Sequence, residues 1–151
     1  MKKRGYTPEQ VVEQIERRLA DSAKYVQPQK RYADIVLRHM DATDDPNFVA
    51  LEIDVQNTLD PLTLLDVLSS IDTLEVDWTS DDALLRDTLR VRGHAPKDAL
   101  ILVATGLIPN LDELVAEPEA WQPGGRGIAQ LVLLHAISVR TRSDAEVREV
   151  A

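Results

Sequence analysis

The chain has no cysteine, which excludes disulfides, thiolate metal sites and a thiol nucleophile. No run approaches the roughly 20 apolar residues that a bilayer span needs. No hydrophobic stretch follows the basic start Met1-Lys2-Lys3-Arg4, as a secretory leader would require. The expectation is a cytoplasmic protein with no membrane partner. Aromatic residues are scarce, two Trp, three Tyr and one Phe in 151 residues, too few for a stacking platform on single-stranded nucleic acid. The most telling absence is local: no Lys or Arg occurs between Arg38 and Arg86.

Hydrophobic residues make up 44% and charged residues 28%, a composition that can bury a core. The net charge of -9 is unevenly spread. Residues 1–40 hold nine Lys or Arg against five Asp or Glu, residues 41–85 hold twelve acids and no base, and residues 86–151 hold eight bases against nine acids. An acidic chain repels a phosphate backbone. Nucleic-acid binding is therefore disfavoured and would fall to Lys2, Lys3, Arg4, Arg17, Arg18, Lys30 and Arg31.

The first element is signalled by Thr7 as a cap, Pro8 at the first helical position and Gln10 three residues after the cap. Val11, Val12, Ile15 and Leu19 follow at helical spacing and predict a helix over 8–23 with an inward apolar stripe. Tyr32, Ile35, Val36, His39 and Met40 predict a second helix over 29–40. From Phe48 the period becomes two: Val49, Leu51, Ile53 and Val55 alternate with Ala50, Glu52 and Asp54, the pattern of a half-buried strand. Asp60-Pro61 opens a helix, Leu74, Val76 and Trp78 mark a second strand, and Ser80 with Asp81 and Asp82 opens a helix carrying Leu84, Leu85 and Leu89. Residues 99–104 read as a buried strand, 110–116 as a short helix, 121–127 as a loop, and 128–139 lean toward helix by length. The expected fold is a mixed α/β (α+β) single domain over 1–151. A helical pair at 8–40 packs on a core at 48–140, whose sheet has about three strands alternating with helices.

The period of two projects Glu52 and Asp54 from one strand and Glu75 and Asp77 from the next, each set on one face. Like charges on adjacent strands destabilise a sheet, so something positive should neutralise them. The first expectation is a non-catalytic adaptor without cofactor, whose acidic region at 41–82 docks a basic protein surface or a second copy of the chain. Its contact residues would be Asp41, Asp44, Asp45, Glu52, Asp54, Glu75, Asp77, Asp81 and Asp82. The alternative is a nuclease or phosphohydrolase in which Asp54, Asp77, Glu52 and Glu75 hold Mg²⁺.

Residues 53–59, Ile-Asp-Val-Gln-Asn-Thr-Leu, resemble the nucleophile loop of the haloacid dehalogenase-like phosphatases, Asp-x-Asp-x-Thr after a hydrophobic strand, and Thr105 resembles that family's second motif. The resemblance implies phosphatase chemistry at Asp54. Gln56 stands where the second aspartate acts as acid and base, so the chain is not assigned to that family. His39, His94 and His135 lie too far apart for a local zinc motif. The run Pro123-Gly124-Gly125-Arg126-Gly127 offers a weaker site, in which the amides of Gly124 and Gly125 and the side chain of Arg126 hold an anion if a helix begins at Ile128. It does not carry the P-loop or dinucleotide fingerprint.

Overall fold

The computed structural model describes residues 7–41, 44–81, 83, 85–115 and 120–150. The chain forms two compact units, Met1–Asp34 and Ile35–Ala151. The first begins with α1 (Pro8–Asp21), capped as its sequence requires: the Thr7 hydroxyl accepts from the Gln10 amide at 3.3 Å and the Gln10 side chain accepts from the Thr7 amide at 3.0 Å. The helix runs on as a π turn (Ser22–Val26) and a 3₁₀ turn (Gln27–Tyr32). Val11, Val12, Ile15 and Leu19 do share one side of α1, but they are exposed rather than turned into a core.

The second unit contains β1 (Ile35–His39), β2 (Phe48–Gln56), α2 (Pro61–Ser69), β3 (Leu74–Asp81), β4 (Arg86–His94), α3 (Lys97–Leu107), α4 (Leu111–Leu114) and α5 (Gly124–Val150). Its four strands form one antiparallel sheet in the order β1-β2-β4-β3. This corrects the expected fold of two leading helices and about three strands alternating with helices. The sheet is nearly contiguous in sequence, and most of the helical mass follows it.

Three local reasons account for the difference. The predicted helix at 29–40 contains Ile35-Val36-Leu37, a short run whose branched side chains suit a strand equally well, and β2 offers it a partner in register, Ile35 opposite Val55 and His39 opposite Leu51. The predicted helix after Ser80 is instead a hairpin turn and β4. Leu89 and Val91 alternate with Thr88, Arg90 and Arg92, and that period of two prevails over the helical spacing of the leucines. The predicted strand at 99–104 lies inside α3, where Leu100, Ala104 and Leu107 are buried at intervals of four and three. Helix α5 begins within the expected loop and continues well past 139. Asp82 and Leu84, the basic start at 2–4, and the side chains of the tail at 143–150 lie outside the described residues.

Val49, Leu51, Ile53 and Val55 of β2 and Leu89 and Val91 of β4 form the sheet side of one core. Leu64 and Leu68 of α2, Leu100 and Ala104 of α3, and Ile128, Leu131 and Val132 of α5 complete it, with α5 packed on β2 and α2 on β3. Among the described residues no helix is long and apolar enough to cross a membrane.

Candidate functional site

The carboxylates singled out by the sequence sit on the sheet face away from this core. Residues directly opposite across strands share a face, and the register places Glu52 opposite Arg38 on one side and Arg90 on the other, with Asp77 opposite Arg90 and Glu75 opposite Arg92. Glu52 pairs with Arg38 and, at 2.8 Å, with Arg90; Asp54 pairs with Arg38 at 2.8 Å and accepts from the Thr88 hydroxyl at 2.9 Å. Both acids are buried, and the chain's own arginines neutralise them. The strands that carry Asp54 and Asp77 are not neighbours, because β4 lies between them. Among the described residues no three His, Asp or Glu side chains converge as a metal site. A Mg²⁺ ion finds no ready set of ligands there.

The remaining acidic candidates are dispersed. Asp41 pairs with Arg92 at 3.1 Å, Asp45 with His94 at 3.0 Å, Asp44 is exposed in the turn before β2, and the Asp81 carboxylate accepts from the amide of Ala83 at the end of β3. Asp82 lies outside the described residues.

A concavity opens elsewhere, at the start of α5. It has a volume of about 780 Å³ and is lined by His39 at the end of β1, Met40 and Asp41 after it, Asp45 and Phe48 before and within β2, Gln122 before α5, and Gly125 and Arg126 at its head, together with Pro46, Ala50 and Pro123. The glycines permit this close approach. Gly124 has φ +61°, and a Cβ there would run into the carbonyl oxygens of Pro46 and Phe48; one on Gly125 would come within 3.2 Å of the His39 ring. The Gly124 N–H donates to the carbonyl of Ala95 at 2.8 Å. Gly125 and Arg126 line the cavity from the first turn of α5, where a helix leaves its N–H groups without internal acceptors. The sequence reading included Gly124 and expected the helix to begin at Ile128; it begins four residues earlier, and the glycines themselves form its first turn.

Charge on the cavity wall is asymmetric. Asp41 is engaged by Arg92 and Asp45 by the His94 ring, and Asp45 also accepts from the Asn47 amide at 2.9 Å. Arg126 is exposed and has no ion pair among the described residues. His39, which the sequence placed on a helix face, stands at the end of β1 beside Gly125. The result is a pocket lined by Arg126 and the first turn of α5 together with the apolar residues Met40, Pro46 and Phe48.

Residues 1–45 match a model of the Phosphoribulokinase / Uridine kinase family. The matched stretch is under a third of the chain and ends within the cavity wall, taking in His39, Met40, Asp41 and Asp45. No curated protein and no solved structure matches the chain. The family likeness overturns the expectation of a non-catalytic adaptor with an acidic docking surface, because it points to a kinase, an enzyme of phosphoryl transfer. The hydrolase alternative built on Asp54 and Asp77 gives way with it: those acids lie on separated strands, and Asp54 is held by Arg38 and Thr88.

One buried group outside the cavity was missed by the sequence reading. His135 of α5 is 1% exposed, and neither ring nitrogen has a hydrogen-bond partner among the described residues. Burial holds its pKa below the ordinary histidine value, opposed by the nearby backbone and carboxylate of Asp60 and by the backbone of Leu59. Its only sequence signal was a polar residue between Leu131 and Ala136 on a helix that buries that side.

Proposed function

We propose that the protein works in phosphoryl transfer, and that its own part is to hold a phosphorylated small molecule in the cavity at the head of α5. The observation that carries this reading is the cavity itself. Gly125 and Arg126, in the first turn of α5, line one volume of about 780 Å³ with His39, and the residues matched by the kinase family supply part of its wall. Phosphoryl transfer depends on positioning and charge stabilisation more than on covalent chemistry by the protein. A helix N-terminus with an adjacent arginine provides both for a phosphate group. The apolar wall of Met40, Pro46 and Phe48 would carry the organic body of the ligand. A cytoplasmic location accords with such a ligand.

The test is a thermal melt of the full chain with inorganic phosphate, uridine 5′-monophosphate or uridine. Phosphate and the monophosphate should raise the melting temperature, by a stabilisation of about 2.7 kcal/mol at a hundredfold excess over Kd, and uridine should not. Arg126→Ala, a substitution at an exposed position, should remove the response and leave the unliganded melt unchanged. If neither phosphate-bearing ligand stabilises the protein, the reading fails.

A further inference from the structure

The interior of the second unit holds one ionisable ring with nothing to bond to. Both nitrogens of His135 are shut off from water and unpartnered among the described residues, and a buried imidazole in that state forfeits the hydrogen bonds it makes in solvent. Ser138, buried three residues further along the same side of α5, meets the same demand by donating to the Asn110 side chain at 2.8 Å. His135 has no such neighbour. What lies beside it is backbone: α5 packs on a 3₁₀ turn (Asn57–Leu59), Leu59 is buried with the ring, and the main chain of Leu59 and Asp60 acts on it.

That backbone is itself under tension. Asp60 stands at φ +52°, ψ +58°, a left-handed conformation that costs a residue with a side chain, although aspartate bears it better than most. From there it starts α2: its carboxylate accepts from the Thr63 amide and its carbonyl from the Leu64 amide, each at 3.4 Å. Both bonds are long for N–H···O, so the first turn of α2 is held by two weak contacts to one residue. The oxygens that make them are also those a protonated ring needs. A neutral imidazole carries one N–H, an imidazolium two, with a charge that a buried site accepts only beside acceptors. Asp60 favours that charge; Arg142, further along α5, opposes it. The side chains of β2 and α3 that share the core with α5 are apolar and offer no acceptor.

We propose that His135 is a proton-operated catch on the first turn of α2: once ionised, the ring draws the Leu59 and Asp60 carbonyls and the Asp60 carboxylate to its two N–H groups, and α2 loses its cap. Burial keeps the ring neutral until the pH lies on the acid side of the ordinary histidine value, so the catch is disengaged at neutral pH. All its parts belong to the Ile35–Ala151 unit. Arg126 lies about two and a half turns away along α5, and the inference stands apart from the phosphoryl-transfer reading. The device gives a local response to acid, in which the start of α2 loosens while the sheet stays paired.

The experiment follows the full, isotope-labelled chain by NMR from about pH 7.5 to about pH 5, a span around the ordinary histidine value, reading the His135 ring shifts together with amide-exchange protection factors. Protection at Thr63 and Leu64 should fall about fivefold, the worth of one side-chain cap, with the midpoint of the ring titration, while the amides of Ile53 and Leu89 in β2 and β4 keep theirs. His135→Leu and His135→Gln should each abolish the fall; two replacements of different polarity guard against one that fails to fold. Asp60→Asn keeps a capping oxygen and tolerates the left-handed turn but removes the charge, and should move the ring midpoint and the loss of protection to lower pH together. The catch is overturned if the ring does not titrate before β2 loses protection, if Thr63 and Leu64 ignore its titration, if their response survives both His135 variants, or if Asp60→Asn leaves the ring midpoint where it was.

Discussion

Helix α1 and strand β2 are both amphipathic and both plainly signalled in the sequence, yet one carries its apolar residues in the open and the other buries them almost completely. Val49, Leu51, Ile53 and Val55 are at most 1% exposed, whereas Val12 and Leu19 exceed 50%. The contrast shows what periodicity measures: it tells which side of an element is apolar, not whether that side is buried. β2 finds its cover in α5, and its flanks in β1 and β4. The likeness to a kinase family falls on residues 1–45, α1 and β1 included.

Truncation should widen that contrast most. Leu51→Ala or Ile128→Ala removes a fully buried side chain and should cost about 2–5 kcal/mol in a denaturant melt. Ile15→Ala, on the exposed stripe, should stay within about 0.5 kcal/mol. Equal costs would mean that α1 is covered after all. A smaller effect is expected from Arg38→Met, which leaves Glu52 and Asp54 with fewer partners on a face where both are buried. The loss should be about 1–3 kcal/mol, tempered because Arg38 is itself partly exposed. Adding Glu52→Gln to that variant should recover part of it.

Acid should act on the second unit through His135. The pKa of His135 is lowered in the folded state, so below the ordinary histidine value the unfolded chain binds the extra proton first. Its contribution to stability is fully present above that value and is lost as pH falls through it toward the lower folded pKa. His135→Leu should flatten the dependence of stability on pH in that window, and an unchanged slope would show that another group is responsible. The smallest effect belongs to the cap. Thr7→Ala should cost α1 about 1 kcal/mol, seen as faster amide exchange at 8–21 with no change in the exchange of β2.

How much was legible in the sequence follows the same division. The capping box at Thr7 and Gln10 and the alternation from Val49 to Val55 are complete local codes, and both elements formed where they were read. β1 and β4 were not legible, because Ile35-Val36-Leu37 and the stretch from Leu84 to Leu89 satisfy helical spacing as well as strand spacing, and only the pairing with β2 decides between them. The gap without Lys or Arg misled for a geometric reason. Arg38 and Arg90 lie just beyond its two ends, and the strand order brings them to either side of Glu52. The anion-binding head of α5 was visible as Gly124, Gly125 and Arg126, but its facing wall of His39, Asp41 and Asp45 comes from residues about 80 positions earlier, which no local motif records.

The strand order also governs how the protein comes off the ribosome. β2 is central but is made second, and its far neighbour ends only at His94. Until that point has left the exit tunnel, a nascent chain holds an apolar strand with one open edge and two carboxylates with only Arg38 to meet them. The intervening α2–β3 excursion is thus made while the sheet is half built, and pauses in translation across that stretch would prolong the period in which the growing polypeptide is most exposed to mispairing with others.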